Sequence, residues 1–174
     1  MNKVLIVVDM QIDFIYGALG TPEARDIVDN VLQKCTEARM YGDYIIFTKD
    51  VHDEEDYSCS VEGAFVPPHC IANESGHWIV PALWSFVENQ AIKSTYGYQL
   101  WGDWHSIFED ADVIELCGVC TDICVISNAL ILRSMYPSTP IVVDASCCAG
   151  SKPYLHDAAL EVMKSCNIEV INEN

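Results

Sequence analysis

Short β-branched runs alternate with longer amphipathic stretches from one end of the chain to the other. That is the pattern of a parallel sheet whose strands are joined by crossover helices. Strands are predicted at Lys3 to Val8, Tyr44 to Thr48, Gln90 to Ile92, Val113 to Leu116, Pro140 to Val143 and Ile168 to Ile171. Thr21-Pro22 caps and opens a helix running to about Tyr41, with proline at the first helical position, where its missing N–H costs nothing. Further helices are predicted over Pro81 to Glu88, Gln99 to Glu109, Thr121 to Tyr136 and Pro153 to Ser165. The fold class is therefore α/β, one open, mostly parallel six-stranded sheet with helices on both faces, in a single domain over residues 1–174. No repeat, linker or low-complexity tract interrupts it.

From Asp50 to Trp78 the rhythm stops, and a loop of that length within a compact domain is commonly functional. It is rich in Cys, His, Pro and aromatic residues, a composition that speaks against disorder. In open α/β sheets ligands bind at the carboxyl ends of the strands. The residues just past those ends are Asp9, Lys49-Asp50, Lys93 and the stretch from Cys117 to Cys124. A carboxylate, an ammonium and a thiol thus converge on one rim.

Composition narrows the partners. The net charge is −17, from 26 acidic residues against nine Lys or Arg, so nucleic acid and anionic membrane surfaces would repel the chain. A small neutral or cationic substrate fits better. The acidic run Asp53-Glu54-Glu55-Asp56 reads as a solvated loop rather than a cation site. After Met1, Asn2 and Lys3 the apolar run before Asp9 is five residues, too short for a signal core or a membrane span. The expected location is the cytoplasm, where most of the nine cysteines would be reduced and buried.

Any one of those cysteines is by type a core residue, and position singles out Cys124. It follows a strand and a Cys117-Gly118-Val119 turn, in the first turn of a helix capped by Thr121 or Asp122. A helix N-terminus favours a thiolate and offers free N–H groups for an oxyanion. The spacing Cys117, Cys120, Cys124 also invites a metal or iron–sulfur reading, but a strand end and a helix start present three thiolates poorly and no fourth ligand is near. Cys147-Cys148 reads as packing. In Asp50-Val51-His52, residues two apart in extended chain face one side and can reach one ion, with His69 returning from the long loop as a third ligand. Histidines often only satisfy a hydrogen bond; the second one in the same loop brings the metal reading level with that one.

These residues resemble the isochorismatase-like cysteine hydrolase family, of Rossmann-like fold, and within it the nicotinamidase branch, over nearly the whole chain. Val7-Val8-Asp9-Met10-Gln11-Ile12-Asp13-Phe14 resembles the opening motif, which implies a catalytic Asp9. Gly118-Val119-Cys120-Thr121-Asp122-Ile123-Cys124-Val125 resembles the nucleophile motif, implying attack by Cys124, a cis Val119–Cys120 bond, and an oxyanion hole from the backbone of Cys120 and Cys124. Ile92-Lys93-Ser94-Thr95-Tyr96 resembles the lysine motif that completes the triad. Asp144-Ala145 and His156-Asp157-Ala158-Ala159-Leu160 look like the closing segment. Asp50-Val51-His52 and Pro67-Pro68-His69-Cys70 match what separates the metal-dependent branch, implying Asp50, His52 and His69 as ligands, with Glu62 where some members supply another carboxylate.

The chain departs from the pattern where Val66 replaces an aromatic residue and Ile123 a tyrosine, both at pocket positions; Phe14 and Tyr96 are further pocket candidates. The resemblance implies conversion of nicotinamide to nicotinate and ammonia through a cysteine thioester. It also implies one divalent transition metal, zinc first with iron or manganese as alternatives, and leaves room for a homo-oligomer. A sister hydrolase acting on another amide or carbamoyl compound would generally lack the metal residues. A non-catalytic metal-binding or interaction module would have a broken triad.

Overall fold

The computed structural model describes residues 2–173. The apolar run Lys3–Val8 forms β1, buried from Val4 onward. A short helix α1 (Ile12–Ile15) follows, then α2 (Pro22–Asp26) and α3 (Val28–Tyr41). The helix predicted from Thr21 to Tyr41 is thus broken at Ile27. Thr21 caps α2 as expected, its hydroxyl accepting from Ala24 N–H at 3.0 Å. Gly42, left-handed at φ 75°, ends α3.

Strand β2 (Tyr44–Asp50) leads to α4 (Glu54–Ser58), and β3 (Asn89–Lys93) to α5 (His105–Glu109). After β4 (Val113–Val119) come α6 (Ile126–Met135), β5 (Ile141–Ala149), α7 (Pro153–Ser165) and β6 (Glu169–Ile171). Residues 81–86 are 3-10 rather than α-helical, and 101–104 form a 3-10 turn ahead of α5. The irregular stretch after Asp50 contains α4, capped by Asp53 through Glu55 and Asp56 N–H at 2.9 and 3.2 Å, so the acidic run is a helix start. Acidic residues in a first turn favour the positive end of the helix dipole.

All five strand pairings are parallel, in the order β3-β2-β1-β4-β5-β6. The chain leaves β1 toward β2 on one side and returns to place β4 on the other. Right-handed crossovers moving in opposite directions put α3 on one face of the sheet and α6 and α7 on the other. The order reverses between β1 and β4, which opens a crevice at their carboxyl ends. There Gly118, at φ 114°, lies opposite Val8, so close that a Cβ on it would stand 2.1 Å from the Val8 carbonyl oxygen.

Candidate active site

Asp9 is the first residue past β1, and Lys93 is the last of β3. Lys93 Nζ lies 2.7 Å from Asp9 Oδ2, 3.8 Å from Cys124 Sγ and 3.7 Å from Asp50 Oδ1. One ammonium therefore touches the acid, the thiol and a candidate metal ligand. Thr48, beside Asp50 on β2, accepts from Asp9 N–H at 3.1 Å and donates to Asp9 Oδ1 at 2.6 Å. Asp50 and Lys93 lie within their strands rather than past them, because β2 and β3 pair as far as that couple.

Cys124 sits inside a π-helical turn, residues 121–125, that precedes α6; it is not in the first turn of an α-helix. Neither Thr121 nor Asp122 caps it. Thr121 Oγ1 meets His156 Nδ1 at 2.8 Å, and the Asp122 carboxylate accepts from Ser151 N–H and Oγ at 2.7 and 2.6 Å. Both residues bind this turn to the segment that opens α7. The Val119–Cys120 peptide is cis, as the nucleophile motif implied.

Cys124 is 5% exposed. Burial first, and Asp9 beside it, push the thiol well above its ordinary value against the pull of Lys93. Burial and Asp9 thus favour the neutral form of this thiol, whereas a helix N-terminus would favour the thiolate. Burial also raises Asp9 above the usual carboxylate range, with Lys93 opposing. A raised carboxylate is a stronger base than an ordinary one. Burial works against the Lys93 charge, but Asp9, Cys124 and Asp50 together hold it firmly protonated. Cys120 is pushed up to about 12 by burial first and then by Asp122 and Asp9, with Lys93 opposing.

Asp50, His52 and His69 are all buried, and one donor atom from each lies within 4.8 Å of the others. His52 Nε2 is 3.2 Å and His69 Nε2 3.8 Å from Asp50 Oδ2. Neither His52 Nε2 nor Asp50 Oδ1 has a hydrogen-bond partner. Buried polar atoms are rarely left so, and two imidazoles with a carboxylate are a donor set that suits a divalent transition metal. The residues present therefore fit such an ion. Glu62 reaches to 3.8 Å from His69 Nε2. Tyr57, which the sequence did not mark out, meets His69 Nδ1 at 3.3 Å and donates to the Val66 carbonyl at 3.0 Å. Together with the Pro67 carbonyl, 3.0 Å from the same Nδ1, it leaves Nε2 to face the cluster.

Both groups open on one cavity of about 350 Å³. Cys124, Asp50 and His69 line it together with Phe14, Val66, Ile123 and Tyr96. Leu19 and Phe65, the latter 85% exposed, also line it and were not foreseen. An isolated exposed phenylalanine carries no periodic signal by which sequence could place it.

With this geometry, the sequence matches the isochorismatase domain over residues 3–174. The chain belongs to the isochorismatase family. Within that family it is similar to the nicotinamidase of Saccharomyces cerevisiae, 24% identical across 98% of this chain and 100% of the yeast protein. The crystal structure of nicotinamidase/pyrazinamidase from Bacillus subtilis superposes with a TM-score of 0.86 at 28% identity, covering 99% of this chain and all of that one. The pyrazinamidase of Pyrococcus horikoshii, solved in complex with zinc, gives 0.83 at 28% identity over 99% of this chain and 100% of its own. Family membership accounts for the open parallel sheet and for the rim on which the site stands. No helix among the described residues is long and apolar enough to cross a membrane.

Proposed function

We propose that this chain is a cytoplasmic hydrolase that converts nicotinamide to nicotinate and ammonia, with Asp9, Lys93 and Cys124 as its catalytic residues. The observation that carries the reading is one cavity lined both by Cys124, whose thiol Lys93 links to Asp9, and by Asp50 and His69 of the Asp50–His52–His69 cluster. An amide carbon can stand over Cys124 while the ring of the same small molecule reaches the cluster. The similarity to nicotinamidases of full matching length supports it.

Asp9 takes the proton from Cys124 Sγ as the sulfur attacks the carboxamide carbon, and the backbone N–H groups of Cys120 and Cys124 receive the developing oxyanion. Asp9 then gives that proton to the departing nitrogen, ammonia leaves, and a thioester remains on Cys124. A water molecule, losing its proton to Asp9, hydrolyses the thioester; the acid is released and the thiol restored. Lys93 offsets the negative charge that passes between Asp9 and Cys124. Phe14 and Tyr96 flank the ring, with Val66 and Ile123 as less bulky walls. Asp50, His52 and His69 would hold one divalent transition metal, zinc first, with Glu62 within reach. When bound, it would fix the pyridine nitrogen directly or through water.

The purified protein, supplied with zinc, is expected to release equimolar ammonia and nicotinate from nicotinamide. Stripping metal with a chelator should cut turnover, and adding zinc back should restore it. Absence of any release from nicotinamide, while another small amide or a carbamoyl compound is cleaved, would transfer the assignment to a sister hydrolase.

A further inference from the structure

Two side chains just past β1, the buried Gln11 and the half-buried Asp13 of α1, have no part in the chemistry above, yet each grips the backbone of the metal-ligand cluster. Gln11 is fully buried. Its Nε2 donates to the carbonyl of Asp50 at 2.6 Å and to that of His77 at 2.8 Å, while its Oε1 accepts from the Asp50 N–H at 2.7 Å. Asp50 is therefore held on both sides of its own Cα by one amide group. Asp13 Oδ2 accepts from the N–H of Cys70 at 2.7 Å, and Cys70 is the residue after His69. Space for that carboxylate is left by two glycines. A Cβ on Gly76 would stand 2.0 Å from Asp13 Oδ2, and one on Gly17 2.3 Å from Oδ1.

The cluster draws its ligands from two stretches of chain, the end of β2 and the returning loop, that share no helix or long ladder. Their connection is one short bridge, with His52 N–H donating to the Cys70 carbonyl at 3.0 Å. Both stretches are referred instead to the turn that begins with Asp9. That turn is itself tied down by Ile12 N–H to the Trp78 carbonyl at 2.8 Å and by Val80 N–H to the Met10 carbonyl at 2.9 Å. A ligand set has to be held within about 0.5 Å to be effective, and a side chain can be no better placed than its backbone.

We propose that Gln11 and Asp13 are positioning residues for the Asp50–His52–His69 site. Gln11 fixes the peptide groups flanking Asp50, and Asp13 fixes the peptide that follows His69. The proposal rests on the reading of that cluster as a metal site. In consequence the segment that supplies the acid at Asp9 also sets where the ring-binding end of the cavity stands relative to it.

The test is zinc affinity, measured by competition with a chromophoric chelator on the full chain. Gln11→Met keeps the length and loses the hydrogen bonds; Asp13→Ala removes the acceptor and Asp13→Asn retains one. Gln11→Met and Asp13→Ala should bind zinc about 10- to 100-fold more weakly than wild type, and Asp13→Asn should recover most of the loss. The visible spectrum of the cobalt(II) form should change in the first two. Leu132→Ala, a core truncation in α6, serves as a control for lost stability and should keep wild-type zinc affinity.

Folded Gln11→Met and Asp13→Ala proteins with unchanged affinity and unchanged cobalt spectra would overturn the proposal. So would an equal loss in Leu132→Ala. If Gln11→Met does not fold, the two Asp13 variants decide by the same titration. A wild-type protein that binds no zinc sinks the metal reading itself and the proposal with it, and is recognised before any variant is made.

Discussion

The molecule buries two lysine-centred charge clusters, and they are built to opposite rules. On the α3 face, Lys34 bridges Glu115 of β4 and Asp144 of β5, the latter at 2.7 Å, and Lys3 joins at Glu115. Asp144 accepts further from Ser146 N–H and Oγ at 3.0 and 2.7 Å and from Asn172 Nδ2 at 3.0 Å. No buried polar atom of this cluster lacks a partner among the described residues. At the rim, Lys93 bridges Asp9, Asp50 and Cys124, yet Asp50 Oδ1 and His52 Nε2 go without hydrogen bonds. The electrostatics follow suit. Burial disfavours the Asp144 charge, but Lys34, Ser146 and Asn172 hold the carboxyl below its ordinary value; at Asp9 burial wins over Lys93 and the value rises. A closed network stabilises one conformation. An open one keeps capacity for a proton and a ligand.

Three substitutions probe that contrast. The largest effect is expected from Cys124→Ala, which should abolish nicotinamide turnover while moving stability by only about 1 kcal/mol, read by kinetics and thermal melting on the same preparation. Lys34→Met should do the reverse. It leaves Glu115 and Asp144 buried without their shared cation, at a cost of about 3–5 kcal/mol, with kcat and KM unchanged in the protein that remains folded. Comparable kinetic damage in that variant would mean the two clusters are coupled.

The smallest effects lie in pH. Asp144 has a depressed folded pKa, so its stabilising contribution is complete above the unfolded value of ~3.9 and fades as pH falls through the folded one. Asp144→Asn should therefore flatten the acid side of a plot of melting temperature against pH. Asp9 is raised, so its ionisation costs stability as pH climbs from the unfolded toward the folded value. As the base it must be ionised, and kcat/KM should fall on the acid side at a pH above the ordinary carboxylate range. An acid limb at the usual carboxylate value would contradict the assignment of Asp9.

Strand positions were legible because the central parallel strands are buried and mostly apolar; amino ends were read to within one residue, and the larger misreadings lie at carboxyl ends. β2 continues through Lys49-Asp50 and β5 through Cys147-Cys148, where polar and thiol residues hide the strand signal. Asp9, Lys93 and the Asp-x-His pair stand at or just past strand ends, and Cys124 in the turn after β4, each in an informative local pattern, so their meeting on one rim was legible. The shape of the nucleophile turn was not. Thr121 and Asp122 have cap chemistry, but tertiary partners His156 and Ser151 claim them, and a π-turn replaces the expected helix start. Gln11 and Asp13 were quoted as motif letters without a role, since nothing in a linear pattern tells that a glutamine amide will meet a peptide from a strand 39 positions away.

The distance between acid and thiol is governed by an atom that is missing. Gly118 faces Val8, the residue before Asp9, and its own chain runs on through Cys120 to Cys124. A single methyl group there would collide with the Val8 carbonyl and wedge β1 from β4 at the crevice. The placing of Asp9 against Cys124 thus rests on a strand-to-strand gap that only hydrogen can fill, at a position with no side chain in the cavity.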